Sequence, residues 1–300
     1  MTADVVVVGS ANLDLIASLP AIPPPGETVL ATGRESRAGG KGLNQAVAAA
    51  RAAATTLLVG AVGDDDAAGL LLAEAEAAGI DIGLVRRVPG RSGTAWIMVQ
   101  PDGENAIVVD SGANADLVFL TDAERAAVGS AAVVVSQLET PLSAVAEAAA
   151  VAREAGARFV LNAAPVTDLD PSLLGAVDVL VVNQHEALQL SGSSDPHQAG
   201  PALLAVVRGA VVVTLGGDGC LVTDASGARG VAGIPAQVVD TTGAGDTFTG
   251  VLAAALAAGA DLDSACGRAV VAGALAVERA GAVPSIPTAA EVDARLESAP

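Results

Sequence analysis

Short runs of β-branched residues recur along the chain at 5–8, 57–59, 133–135, 159–161, 179–182 and 211–214, and alanine-rich stretches of helical length separate them. The alternation predicts βαβ units. The runs are continuously apolar, so both faces of each strand are expected to be buried, as in a parallel sheet covered by helices on both sides. Ligands bind such a sheet at the carboxyl ends of its strands. Helices are predicted over 44–54, 67–78 and 251–258. Alanine strengthens these assignments and blurs the amphipathic faces that would fix their ends.

Two regions break the pattern. Residues 20–37 hold four prolines and the string Pro25-Gly26-Glu27-Thr28-Val29, which is not helical sequence. Segments 93–100 and 105–110 alternate and are joined by Pro101-Asp102-Gly103-Glu104, whose Asp-Gly is a hairpin signal. Together they predict a small extra sheet at about 15–38 and 92–112 on a single three-layer α/β/α domain spanning 1–300. An open sheet edge needs a partner, so homodimerisation through this sheet is expected.

Composition narrows the class. A chain of 300 residues with 52% hydrophobic content supports one large core, and the formal charge of −19 argues against nucleic acid or an anionic membrane as the main partner. Cys220 and Cys266 are too few for a disulfide framework and lack zinc spacing, which suits buried thiols in a reducing compartment. The start of the chain has no basic segment ahead of its first apolar run, and the small-residue run 250–260 falls short of the roughly 20 residues a membrane span needs. A soluble cytoplasmic protein is the expectation.

The candidate chemistry centres on Asp240-Thr241-Thr242-Gly243-Ala244-Gly245-Asp246-Thr247-Phe248-Thr249-Gly250, where an apolar extended run turns through small residues into a helix. Glycines let a ligand approach the backbone, and free amides at a helix start form a site for phosphate or a developing oxyanion. Asp246 then reads either as a dipole partner in the first turn or as a base beside an anion hole. Asn12 and Asp14 project to one side if their segment is extended, and otherwise form a local turn. Gly39-Gly40-Lys41-Gly42-Leu43-Asn44-Gln45 is neither a Walker A loop nor a dinucleotide fingerprint. Glu139 and the Asn183/Glu186 pair follow apolar runs, at strand ends or as helix caps. Thr214-Leu215-Gly216-Gly217-Asp218-Gly219 is a second glycine-rich strand exit, again either a tight turn or a nucleotide approach. Asp64-Asp65-Asp66 reads as helix capping rather than a metal cluster, and His185 has no assigned role.

The string from Asp240 to Gly250 resembles the C-terminal signature of the PfkB, or ribokinase-like, family of carbohydrate kinases. Gly-Glu-Thr-Val followed by Gly-Gly-Lys-Gly-x-Asn-Gln resembles the family's N-terminal signature in its ribokinase branch. The resemblance runs from about Val5 to Pro287. It departs at Ala68, where family members usually have glycine and this chain has Gly69 one position later. It implies ATP-dependent phosphorylation of the primary hydroxyl of ribose, with Asp246 as base and the Gly243, Ala244 and Gly245 amides as anion hole. It further implies sugar binding by Asn12, Asp14, Gly40, Lys41, Asn44 and Glu139, and ATP binding by Asn183, Thr214, Gly216, Gly217, Gly219 and Gly245. By the same resemblance, Glu186 orders Mg²⁺ mainly through waters. K⁺ lies beside Asp240, Thr242, Ala276, Arg279, Gly281 and Ser285, and the extra sheet is a lid that covers the sugar. With no Tyr, one Trp and three Phe, adenine is expected between aliphatic surfaces. Another sugar or adenosine as acceptor, and a non-catalytic binding protein, are the rival readings. A nicotinamide enzyme is disfavoured, because Gly9-Ser10-Ala11-Asn12 lacks the dinucleotide fingerprint.

Overall fold

The apolar runs become neighbouring strands of one sheet. The structure is a computed structural model that describes residues 3–101 and 104–298. The turn expected at Asp102-Gly103 therefore lies outside the described residues. The strands are β1 (Val5–Val8), β2 (Asn12–Ser18), β3 (Gly33–Gly39), β4 (Thr56–Val62), β5 (Asp81–Arg87), β6 (Gly93–Val99), β7 (Asn105–Asp110), β8 (Val133–Ser136), β9 (Arg158–Asn162), β10 (Val179–Asn183), β11 (Ala210–Thr214), β12 (Gly219–Asp224) and β13 (Gly227–Ala232). The helices are α1 (Lys41–Arg51), α2 (Asp66–Ala77), α3 (Asp122–Ser130), α4 (Leu142–Ala155), α5 (Pro171–Leu174), α6 (Gln184–Ser191), α7 (Pro196–Leu204), α8 (Ala244–Ala257), α9 (Leu262–Val277) and α10 (Ala289–Ser298).

The main sheet has nine strands in the order β13-β12-β11-β10-β9-β8-β1-β4-β5. It is parallel from β11 to β5, as expected, and the β12–β13 hairpin adds an antiparallel edge. One apolar cluster packs α1, α2, α8 and α9 on one face, and a second packs α3 to α7 on the other. Strand order reverses around β1, which pairs with β4 on one side and β8 on the other. Such a switch point opens a crevice beyond the strand ends. No helix among the described residues is long and apolar enough to cross a membrane.

A second sheet, in the order β3-β2-β6-β7, stands apart from the first. Its hairpin strands fall where alternation placed them, with β6 ending one residue early at Val99. The polar strand β3, Gly-Arg-Glu-Ser-Arg-Ala-Gly, carries no apolar alternation; pairing with β2, which sets Asp14 opposite Arg37, makes it a strand. The proline-rich stretch 20–32 contains no strand, since proline cannot donate to a ladder. Helix α1 starts three residues earlier than predicted. Gly40 at its N-cap takes φ 89°, which turns the chain sharply into Lys41 and brings Lys41 into the first turn. Asp65 caps α2 by accepting from the Ala68 amide at 3.1 Å, so the acidic triplet does serve as a helix start.

The contact between α1 and α8 sets up the rest of the molecule. Gly250 lets the helices approach closely: a Cβ there would collide with the Gln45 carbonyl oxygen and lie 2.5 Å from the Ala48 Cβ. Gly250→Ala is expected to force the helices apart and destabilise the protein by about 1–3 kcal/mol, read by denaturant unfolding, with a disproportionate loss of any activity that needs α1 and α8 in register. Unchanged stability would show that the contact has room to spare.

Candidate functional site

The turn from Thr241 into α8 is built as the glycine pattern requires. Gly243 is the N-cap of α8 with φ 75°, and a Cβ on it would lie 2.9 Å from both Cα and Cβ of Ala282. A side chain at Gly245 would meet nothing within 4 Å, so this part of the helix start faces open space. The Ala244 amide donates to the Thr241 carbonyl at 3.3 Å, a long bond. The amides of Gly243 and Gly245 have no partner among the described residues. Two of the three expected amides are therefore free at a positive helix end.

Asp246 sits in the first turn of α8, only 7% exposed. Burying a carboxylate is costly unless donors surround it, and α1 provides them. Asn44 Nδ2 donates to Asp246 Oδ2 at 2.9 Å and Gln45 Nε2 donates to Oδ1 at 2.9 Å. Lys41 Nζ stands 4.0 Å from Oδ1. Lys41 is the chain's single lysine. Asp246 raises its pKa above the usual lysine value, Glu139 and Glu186 add to the effect, and burial opposes it. A protein of strongly negative charge thus places this one ammonium where carboxylates converge.

The expected sugar residues assemble at the switch point. Glu139, just past β8, accepts from Ser10 Oγ at 2.6 Å, from the Lys41 amide at 3.1 Å and from Asn12 Nδ2 at 3.4 Å. Asn12 Oδ1 in turn accepts from Asn114 Nδ2 at 2.7 Å. Asn12 and Asp14 lie on an extended strand, so the local-turn alternative is not what forms. The buried Asn44 Oδ1 has no partner among the described residues, leaving an acceptor for a hydroxyl. Burial, then the charges of Glu139 and Asp246, push the Asp14 carboxyl up to about 7.

Two adjoining cavities share Thr214, Thr241 and Gly245. The smaller, about 220 Å³, brings together Lys41, Asn183, Glu186, Gly243 and Asp246. The larger, about 480 Å³, is floored by Gly216, Gly217 and Gly219 and walled by aliphatic residues of α9 and the 234–238 segment. The expectation of wholly aliphatic walls needs correction, because Phe248 of α8 also lines this cavity. Asn183 and Glu186 form a capping box. Asn183 Oδ1 accepts from the Glu186 amide at 2.9 Å, and Glu186 Oε2 accepts from the Asn183 amide at 2.8 Å. Glu186 also lines the smaller cavity. No group of three or more His, Cys, Asp or Glu that could hold a metal occurs among the described residues. A site supplying one carboxylate suits an ion that keeps its waters and takes its other oxygens from phosphates.

Behind the start of α8 the loops carrying Asp240 and Gly281 meet. Asp240 Oδ2 accepts from the Gly281 amide at 2.7 Å and Oδ1 from the Thr242 amide at 2.9 Å. Burial pushes the Asp240 carboxyl up, but those amides and the Arg37 charge outweigh it and hold it below the usual aspartate value. The Ala276 carbonyl accepts from the Arg279 amide at 3.1 Å, and the buried Ser285 hydroxyl donates to the Ala282 carbonyl at 2.8 Å.

Sequence reading missed Ser10, Gln45, Asn114, Gln137, Asn162 and Arg37. Gln45 stood in a recognised string, but nothing local marks which way its side chain points. Arg37 lies within the stretch assigned to the extra sheet, with no polar–apolar pattern of its own to mark it, and reaches Gly281, where any Cβ would collide with its Nη1.

A pfkB family carbohydrate kinase model matches residues 2–289. The chain is 36% identical over 293 residues to the bifunctional ribokinase/ribose-5-phosphate isomerase A of Fructilactobacillus sanfranciscensis, which covers 95% of this chain but only 54% of that protein. It is also 36% identical to the ribokinase of Haemophilus influenzae, over 98% of each. The structure of Arabidopsis thaliana ribokinase complexed with ribose and ATP superposes with a TM-score of 0.92 at 34% identity, covering 100% of both chains.

The raised pKa of Asp14 has a consequence for stability. Unfolded, the group titrates near the ordinary value of about 3.9; folded, it keeps its proton up to about 7. Its favourable contribution is therefore complete below the unfolded value and lost as pH rises through 7. Asp14→Asn removes a buried charge that exists only at higher pH, so its melting temperature relative to wild type is expected to rise by about 2–4 °C more at pH 8.5 than at pH 5.5. Equal differences at both pH values would refute the assignment.

Proposed function

The chain belongs to the pfkB family of carbohydrate kinases, and on that premise we propose that it transfers the terminal phosphoryl group of ATP to the 5-hydroxyl of D-ribose, giving ribose 5-phosphate and ADP. The observation that carries the reading is the buried Asp246 carboxylate beside the unpaired amides of Gly243 and Gly245, where the two cavities meet.

Ribose is held by hydroxyl-binding groups at the switch point: Asn12, Asp14 and Glu139 from the strand ends, and Gly40, Lys41 and the unpaired Asn44 Oδ1 from the start of α1. A carboxylate paired with an amide accepts from and donates to a vicinal diol. ATP occupies the larger cavity, with its phosphates along Gly216, Gly217 and Gly219 and over the start of α8. As the ribose oxygen bonds to the terminal phosphorus, Asp246 takes the hydroxyl proton and the bond to ADP breaks. The free amides and Lys41 stabilise charge on the oxygens of the transferring group, the kind of fixed electrostatic support on which phosphoryl transfer depends.

When bound, Mg²⁺ neutralises phosphate charge. Glu186 would hold it through water, with Asn183 near the phosphates. K⁺ would be held by Asp240 and by carbonyls at Thr242, Ala276, Arg279, Gly281 and Ser285, stiffening the loops that back the anion hole. Arg37 already brings positive charge toward Asp240, so K⁺ activation is expected to be modest. The four-stranded sheet serves as the lid, excluding water so that transfer to sugar outruns ATP hydrolysis. Trp96 and Val108 stand opposite each other on β6 and β7, and both are exposed. That apolar face is the proposed contact between two copies of the chain.

In a coupled ADP-release assay, ribose should outperform fructose, deoxyribose and adenosine, with turnover higher in K⁺ than in a large organic cation. Asp246→Asn should keep the fold and lose at least about 100-fold in kcat; near-wild-type turnover would mean that another group is the base. By light scattering the chain should be a dimer at micromolar concentration, and Val108→Lys should give monomers. A monomeric wild-type protein would remove the lid contact.

A further inference from the structure

Behind Asp246 lies a chain of buried amides that no step above uses. Gln45 Nε2 donates to Asp246 Oδ1 at 2.9 Å and to Asn162 Oδ1 at 3.0 Å, while Gln45 Oε1 accepts from Gln137 Nε2 at 2.6 Å. Gln45 and Gln137 are 0% and 1% exposed. They come from different parts of the fold, Gln45 from α1 and Gln137 from the residue after β8. Buried amides in an otherwise apolar core are costly to desolvate, so their arrangement calls for a reason beyond packing.

The direction of the hydrogen bonds supplies it. An ionised carboxylate only accepts, so Gln45 must turn its NH₂ toward Asp246 and its carbonyl toward Gln137. Gln137 must then turn its own NH₂ toward Gln45. The cost falls at the far end, where Gln137 Oε1 is buried without a partner. That oxygen is packed so tightly against Gly9 that a Cβ there would collide with it. Reversing Gln137 would set two carbonyl oxygens face to face and release Gln45 to swing its own oxygen toward the carboxylate. The unmet carbonyl is what remains when the polarity is fixed from the Asp246 end.

We propose that Gln45 and Gln137 form a one-way amide relay that orients the Asp246 carboxylate toward the acceptor hydroxyl. Gln45 is the positioning residue in contact with the carboxylate, and Gln137 acts by fixing the orientation of Gln45. Asn44, on the same helix, holds the other carboxylate oxygen, so the relay decides which way the Oδ1 edge of the group faces. The proposal rests on Asp246 being the base.

The test compares kcat and the KM values for ribose and ATP in Gln45→Met, Gln137→Met, the double variant and Asp246→Asn, with a thermal melt on each. Gln45→Met should lower kcat about 10- to 100-fold and Gln137→Met about 3- to 10-fold, with both KM values within about twofold of wild type. The double variant should match Gln45→Met, because Gln137 acts only through Gln45. Should Gln45→Met fail to fold, the kcat and KM of Gln137→Met decide alone. Full kcat in Gln137→Met, losses that multiply in the double variant, or losses that fall on KM would each overturn the relay. If Asp246→Asn is inactive while the methionine variants are unaffected, only the relay fails. If Asp246→Asn turns over normally, the base assignment fails and the relay with it.

Discussion

A carboxylate taken out of water must be surrounded by donors, and the need to do this for Asp246 organises the molecule. Its donors, Asn44 and Gln45, lie 202 and 201 residues away in sequence. They reach it because α1 and α8 pack against each other at Gly250, which has no side chain to hold them apart. The same packing brings Lys41 close to the start of α8. Moving either helix would separate Asp246 from its donors, and the unpaired amides of Gly243 and Gly245 from the one ammonium beside them.

The sheet sets polar strand ends on one side of this pairing and a glycine-floored cavity on the other. Strand order reverses at β1, and the residues just past β1 and β8, Ser10 and Glu139, bond to each other across the crevice. The second sheet adds Asn12 and Asp14 from β2, directly above. Across the start of α8, the glycines between β11 and β12 form the floor of the larger cavity. Phosphoryl transfer asks mainly for positioning and fixed charge. Here rigid elements supply both, and the 216–219 and 240–245 turns bring backbone, not bulky side chains, to the cavities.

Charge within the site is uneven. Burial, with the charges of Glu139 and Asp246 added, raises Asp14 to about 7, and Asp246, Glu139 and Glu186 raise Lys41. Such crowding is expensive in a folded protein and is characteristic of places where protons and phosphates are handled. The free amides of α8 carry partial positive charge into the centre of these acids without adding another side chain.

By itself the sequence determined what local chemistry determines. Continuous β-branched runs could only be buried strands, and alanine-rich intervals could only be helices between them. The Gly-Ala-Gly turn before Asp246 allowed backbone to lie open to a ligand. Tertiary structure decided whatever depends on partners far along the chain. Arg34 to Ala38 became a strand because β2 paired with it, not because of its own pattern. Phe248 came to line the larger cavity because α8 turns that side toward α9. Gln45, Gln137 and Asn162 carry no signature of their own: an amide is a donor or an acceptor according to what lies across from it, and only the folded chain sets Asp246 there.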